Sequence, residues 1–215
     1  IAAGHGAQTT AIKVLSGGNM ETILDALAGD FERASGYKLL LEYDRASAVK
    51  ARIRAGEAVD AVVVMRPDLT DLVQDGHIAP DSVADIARSA FGVIVRAGDA
   101  KPDMSSVEAV RRSLLAARSI AYSDPARGTT SGVFFASLLD RLGIAEAVRA
   151  KSTLAVSERP IGGVIAELVA NGQAQIGIGQ VSEILPVPGV EFVTPLAAEL
   201  QPTLVVAAGI SRQST

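Results

Sequence analysis

The stretch that decides the fold is AVDAVVV, residues 58–64, which is almost wholly apolar and rich in β-branched side chains. Strands of a parallel sheet have this composition because helices cover them on both faces. A helix is predicted before it, over residues 47–54, and Gly56 stops that helix. A second helix is predicted after it, over residues 68–74. The pattern therefore predicts a buried parallel strand between two helices.

The same alternation of strands and helices continues on both sides of this segment. It restarts after the Gly- and Pro-containing stretch 98–102, so we predict two α/β lobes. Each is expected to be a mostly parallel sheet flanked by helices, and a two-strand hinge joins them. Lobe 1 is predicted to comprise residues 11–97 with 194–215, and lobe 2 residues 98–193. The other predicted strands cover residues 12–15, 38–43, 91–95, 119–122, 175–179, 190–193 and 204–208, and the other helices residues 20–34, 107–116, 133–142 and 161–171.

The composition argues against several classes of function. The chain has no cysteine, which removes thiolate nucleophiles, disulfides and Cys-ligated metals. Its net charge is −4 and its basic residues are scattered, so we expect no nucleic-acid partner. His5 and His77 stand apart from any nucleophile, and no His, Asp and Glu spacing resembles a metal site. We therefore predict neither a cofactor nor a metal.

Small and hydroxyl residues recur where a predicted strand ends and the next helix begins. The four junctions cover residues 16–19, 46–47, 127–132 and 160–163. A helix N-terminus presents unpaired N–H groups and a partial positive charge, which favour an anion. A single Ser or Thr there is more often an N-cap, but four junctions that converge on one crevice predict an anion site. The candidate ligand-binding residues at or beside these junctions are Ser16, Gly17, Asn19, Ser47, Ser123, Thr129, Thr130 and Ser131.

Arg66 is the charged residue with the sharpest claim to a ligand. It directly follows the buried strand, where its guanidinium could form a bidentate pair with a carboxylate or phosphate. The alternative is a structural ion pair. Arg45 and Arg127 lie in equivalent loops and have weaker claims. If the protein is an enzyme, the candidate proton carriers are Asp44, Asp124 and Glu158, although each is more typical of a cap or a hinge contact.

Several segments together resemble the molybdate-type periplasmic solute-binding proteins. They are VLSGGNM (14–20), SAVKARI (47–53) with GEAVD (56–60), AYSDP (121–125), and the run 128–132 into a helix that ends RLGI (141–144). The resemblance implies a class II periplasmic-binding fold that closes over its ligand. It also implies a receptor that delivers an anion to the permease of an ABC importer, and we expect a monomer. The small residues 1–8 fit the remainder of a signal peptide, so we expect a periplasmic location.

The likeness also narrows the ligand. Ser16 and Ser47 resemble the family's hydroxyl donors, but Gln180 stands where molybdate binders commonly carry Tyr. Arg66 stands where they usually carry a small or neutral residue. We therefore expect a carboxylate ligand rather than a molybdate-like oxyanion, with Gln180 as a further ligand contact.

A branch of the family is similar to aconitate isomerase, which makes a periplasmic isomerase of a small tricarboxylic acid the alternative. We rank it second because the sequence does not identify any one residue as the base. A third class, the anion-sensing domain of a transcription factor, is disfavoured by the absence of a DNA-binding helix pair.

Overall fold

The computed structural model describes residues 11–157, 163–185 and 187–214. Two five-stranded mixed sheets form the framework, which confirms the predicted two-lobed α/β fold. In order across the first sheet, the strands are β2 (Lys38–Asp44), β1 (Ala11–Gly17), β3 (Ala61–Met65), β10 (Leu204–Ile210) and β4 (Ala84–Ser89). In order across the second sheet, they are β7 (Ser152–Ala155), β6 (Ile120–Ser123), β8 (Ile176–Gln180), β5 (Phe91–Arg96) and β9 (Val190–Pro195).

Helices follow most of the strands. Those of the first half are α1 (Glu21–Ser35), α2 (Ala46–Arg54) and α3 (Arg66–Gln74). Those of the second half are α4 (Val107–Ala116), α5 (Thr130–Arg141), α6 (Ala145–Arg149), α7 (Val164–Ala170) and α8 (Val181–Ile184). None of the helices in the described ranges is long and apolar enough to cross a membrane.

The decisive segment forms β3, which is shorter at its start than its apolar composition predicts. Val62, Val63 and Val64 are buried, as expected for a strand covered on both faces. Asp60 lies just before the strand and accepts a hydrogen bond from the backbone N–H of Lys13 at 2.8 Å. Its own N–H donates to the Lys13 carbonyl at 2.9 Å. The side chain of Asp60 therefore ties the start of β3 to β1.

The two sheets have the same mixed design. β1 pairs in parallel with β2 and β3, and β6 pairs in parallel with β7 and β8. The strands on either side of the two points where the chain passes between the sheets are β4, β5, β9 and β10, and they pair antiparallel with their neighbours. A strand that enters directly from the other sheet has no crossover helix to return it, so an antiparallel direction is open to it.

The chain passes from the first sheet to the second at Ala90, between β4 and β5, and returns between β9 and β10. The sequence pattern predicts residues 91–97 in lobe 1, whereas β5 pairs in the second sheet. Only one residue separates β4 from β5, so the sequence has no loop or turn signal at the point where the chain passes between the sheets. Gln201 joins the two connections, because its Oε1 accepts from the Phe91 N–H at 3.0 Å. The predicted residue bounds of the lobes, as units of movement, stay a prediction.

Apolar side chains form one cluster beneath each sheet and a third that continues through both. The shared cluster includes Val63 and Val206 of the first sheet and Val93 and Ile178 of the second. The strands β4 and β7 were not predicted because their sequences, ADIARS and STLA, contain one large apolar residue each and so show no strand-like apolar pattern. The continuous core holds the sheets so that the ends of their parallel strands face one another.

Candidate functional site

The last residues of six strands meet at one cavity between the two sheets. Three come from β1, β2 and β3, and three from β6, β7 and β8. The cavity has a volume of about 90 Å³. Ligands of open α/β sheets bind beyond the carboxyl ends of the strands. We call this cavity the cleft, and the strand-end residues that line it are Gly17, Asp44, Met65, Ser123, Ala155 and Gln180.

Hydroxyl groups line the second-lobe side of the cleft, at Ser123, Thr129, Thr130 and Ser131. The Thr129 Oγ1 caps α5 by accepting a hydrogen bond from the N–H of Gly132 at 3.2 Å. Ser131 Oγ donates to Ser123 Oγ at 3.1 Å. A Cβ at position 132 would stand 2.5 Å from the Ser123 carbonyl oxygen, so only glycine lets the helix start this close to β6. The arrangement brings the positive end of α5 to the cleft.

The first-lobe side combines a small turn with polar side chains. Gly17, Asn19 and Asp44 line the cleft, and the Asn19 Nδ2 lies 3.7 Å from the Met65 Sδ. Asp44 is already engaged, since its Oδ1 accepts from the N–H of Arg45 at 2.8 Å. Its Oδ2 lies 3.7 Å from an Nη atom of Arg52. The carboxylate of Asp44 thus holds the entry to α2 rather than standing uncommitted in the cavity.

Two arginines line the cleft, one from each lobe. Arg45 is the N-cap residue of α2, and no described residue hydrogen-bonds or pairs with its guanidinium. Arg127 lies in the loop before α5 and donates from Nη2 to the carbonyl of Ser157 at 2.9 Å. A guanidinium on each of two sides of one cavity can attract an anion, and its planar fork matches a carboxylate.

Gln180 ends β8 with its side chain in the cleft and is only 1% exposed. The Oε1 atom is buried and has no hydrogen-bond partner within the described part of the chain. An unpaired buried amide oxygen costs free energy, so this atom requires a partner in the cavity, a ligand donor or a water. The amide of Gln180 is therefore a polar group directed at whatever fills the cleft.

Glu183 lines the same cavity and was not foreseen from the sequence. It is the third residue of α8, and the backbone N–H of Gln180 donates to its carboxylate, as in a capping box. Burial raises the pKa of Glu183 from 4.5 to about 7, and this bond offsets only part of the rise. The one available sequence signal was a Glu placed three residues after the end of a buried strand.

The remaining sequence candidates lie outside the cleft lining. Ser16 is fully buried and donates to the Gly17 carbonyl at 3.1 Å. Ser47 lines a neighbouring cavity of about 400 Å³. Arg66 is the first residue of α3, and its guanidinium pairs with Asp85 on β4. Burial of β3 fixes where the strand ends but not the direction of the side chain that follows it.

A second proposed proton carrier, Asp124, is not among the residues that line the cleft. Asp124 accepts from the N–H of Ala126 at 2.9 Å and so caps the short turn that follows β6. Glu158 lies outside the described residues. In the described ranges no group of His, Asp and Glu side chains could hold a metal ion.

Comparison with known proteins agrees with this architecture. The family described as bacterial extracellular solute-binding protein matches residues 12–215. An aconitate isomerase from a Pseudomonas species is 35% identical over 190 residues, which cover 86% of this chain and 69% of that protein.

Two solved structures share the fold at lower identity. The periplasmic molybdate-binding protein of Azotobacter vinelandii superposes with a TM-score of 0.69 at 21% identity, over 94% of this chain and 85% of that one. The sulfate-binding protein of Mycobacterium tuberculosis superposes with a TM-score of 0.68 at 17% identity, over 96% of this chain and 77% of that one. These likenesses establish a common fold, while the chemistry of the cleft depends on the residues present here.

Proposed function

This chain belongs to the bacterial extracellular solute-binding proteins, and from that premise we propose that it binds a small anion with two or more carboxylates in the cleft. The observation that carries the proposal is the pair of arginines, Arg45 and Arg127, which line the cavity from opposite lobes. Each guanidinium can hold one carboxylate through two parallel hydrogen bonds. A ligand with carboxylates at both ends would therefore bridge the lobes.

Arg66, the residue that the sequence predicted to bind a carboxylate, does not line the cleft. The guanidinium of Arg66 pairs with Asp85 outside the cleft lining, while Arg45 and Arg127 both belong to that lining. Cleft hydroxyls add neutral donors for the remaining oxygens, and the Oε1 of Gln180 can accept from a protonated carboxyl or a water. This mixture of two cations with neutral donors suits an organic polyanion better than a small tetrahedral oxyanion held by neutral groups alone.

The biological setting that we propose is the periplasm, where the protein would act as a monomeric receptor. Lobe closure over the anion would create the surface that the permease of an ABC importer recognises. Membership of an extracellular solute-binding family supports this setting.

The test is a thermal-shift titration of the purified protein with cis- and trans-aconitate, citrate and succinate, and with molybdate, tungstate and sulfate. A ligand present at 100 times its Kd stabilises the folded state by about 2.7 kcal/mol, which raises the Tm by about 5–11 °C for a chain of this size. We expect that rise with the polycarboxylates. Stabilisation by the metal oxyanions alone would contradict the proposal.

Substitutions locate the binding groups. Arg45→Ala and Arg127→Ala should each weaken polycarboxylate binding by about 10- to 100-fold, as expected for loss of a hydrogen-bonded charge worth about 1.5–3 kcal/mol. Arg66→Ala is the matched control and should leave the Kd unchanged, because the guanidinium of Arg66 pairs with Asp85 outside the cleft. Unchanged affinity in both cleft variants would refute the role of the arginine pair.

A second candidate function is isomerisation of a small tricarboxylic acid. The observation that favours it is the 35% identity with a protein described as aconitate isomerase, over most of this chain. The two functions share a ligand class, so binding alone does not separate them. Interconversion of cis- and trans-aconitate, followed by NMR over time, does.

A further inference from the structure

The carboxyl of Glu183 stands at the place where the two lobes meet. α8 follows β8 without a loop, and it packs against the turn 18–20 at the end of β1 and against the start of α1. Glu183 lines the cleft together with Arg45 and Arg127. A ligand that bridges the two guanidiniums therefore shares its cavity with this carboxyl.

Only two carboxyl groups line the cleft among the described residues, and they differ in the hydrogen bonds and charged neighbours that they have. Asp44 accepts a hydrogen bond from the N–H of Arg45 and lies 3.7 Å from Arg52. Glu183 accepts only the N–H of Gln180, and no charged side chain in the described ranges influences its pKa. A carboxyl with one satisfied oxygen retains the other for chemistry in the cavity.

The capping bond does not by itself account for a glutamate at this position. Glutamine serves equally well as the third residue of a capping box and carries no charge to desolvate. The protein nevertheless keeps an ionisable group here, where burial opposes its charge. Such a placement is typical of groups that exchange protons during function.

We propose that Glu183 transfers a proton between carbon atoms of the bound polycarboxylate, an inference that rests on the proposed carboxylate binding. The Glu183 carboxylate removes a proton from a methylene that lies between a carboxylate and a C=C bond. The electron pair of the broken C–H bond forms a new C=C bond with the adjacent carbon. The former C=C pair then takes the proton back from Glu183 at the far carbon.

Atoms and electrons balance in this step, and no oxidant or reductant is required. The double bond moves by one position, and its new geometry can be cis or trans, so the net result is isomerisation. Arg45 and Arg127 would neutralise the carboxylates and so stabilise the negative charge that develops on the three-carbon unit. The pKa of about 7 brings Glu183 close to the value at which a group both accepts and returns a proton near neutral pH.

The experiment follows proton exchange and binding in parallel. trans-Aconitate in D₂O is incubated with the protein, and its carbon-bound protons are monitored by NMR while the Kd is measured by calorimetry. We expect the wild type to incorporate deuterium and to form cis-aconitate. Glu183→Gln should bind with a Kd within about threefold of wild type and lose at least 100-fold in exchange rate, the usual contribution of a positioned base.

Two further variants complete the design. Glu183→Asp keeps a carboxylate on a shorter chain and should retain part of the exchange rate. Glu167→Gln makes the same chemical change on the exposed face of α7 and should match the wild type.

The outcomes separate the two proposals. Absence of polycarboxylate binding to the wild type would refute the proposed function, and this inference with it. Binding without deuterium incorporation would leave the proposed function standing and overturn the inference, as would unchanged exchange in a folded Glu183→Gln variant.

Discussion

Replacing Glu183 by Gln should stabilise the ligand-free protein at alkaline pH and leave it almost unchanged in mild acid. The folded state buries this carboxyl and raises its pKa to about 7, whereas the unfolded chain exposes it at its ordinary value of 4.5. Between these values the folded protein binds more protons than the unfolded chain does, so its stability falls as pH rises. Glutamine has no proton to lose and removes that dependence.

The magnitude follows from the two pKa values. A difference between 4.5 and about 7 corresponds to about 3 kcal/mol once both states are ionised. Because Glu183 is only partly exposed to solvent, we expect about 2–3 kcal/mol at pH 8. At pH 5 the folded protein has lost little of this stability, and the difference between variant and wild type should be below about 1 kcal/mol.

Urea unfolding at pH 5 and pH 8, with the linear extrapolation to water, measures both differences directly. Retention of the capping bond by Gln keeps the start of α8 intact, so the comparison isolates the charge. An equal change in unfolding free energy at the two pH values would show that Glu183 is not ionised against a burial penalty. A proton-transferring role for Glu183 would then lose the support of a raised pKa.

Two further predictions concern the framework around the cleft. Gly132→Ala should destabilise the protein by about 1–3 kcal/mol, because the added Cβ would stand 2.5 Å from the Ser123 carbonyl oxygen. Gly29→Ala, on the exposed face of α1, should instead stabilise the protein by up to about 1 kcal/mol. The Tm values of the two variants, measured by calorimetry, test this contrast. Arg52→Ala should lower the free energy of unfolding by about 1 kcal/mol at pH 7 and by less near pH 2. Arg52 holds the pKa of Glu57 at about 2, and the stabilisation from this ion pair is lost as the pH falls below 4.5. An equal loss of unfolding free energy at every pH of an acid titration would contradict this prediction.

The sequence predicted the architecture because the architecture depends on local patterns. Apolar β-branched runs gave the strands β1, β3 and β8, and glycines marked the ends of the helices that follow the strands of the first half. The crossing at Ala90 was missed because a single residue joins two strands there, and hydrogen-bond pairing across the sheet decides to which sheet β5 belongs. Pairing with a strand that is distant in sequence cannot be recognised from the residues of the strand itself.

The hydroxyl side of the candidate site was also within reach of the sequence. Thr129, Thr130 and Ser131 lie at the start of α5, after the short turn that follows β6, and residues that connect a strand to the next helix lie at the ligand-binding edge of the sheet. Arg66 occupies such a junction too, yet its long side chain turns to Asp85 on a neighbouring strand. The strand and helix pattern predicts where the Cα atom of such a residue lies. The partner of its long, flexible side chain depends on which residues the tertiary structure brings near it.

The segment AVDAVVV thus indicated, by itself, that this protein contains parallel α/β units. Tertiary structure alone decided which charges line the cleft. It brought Arg45 and Arg127 to one cavity from lobes that are remote in sequence, and it buried Glu183 beside them. Burial raises the pKa of a carboxyl through atoms that surround it in space, and the sequence does not specify those neighbours until the two sheets have packed together.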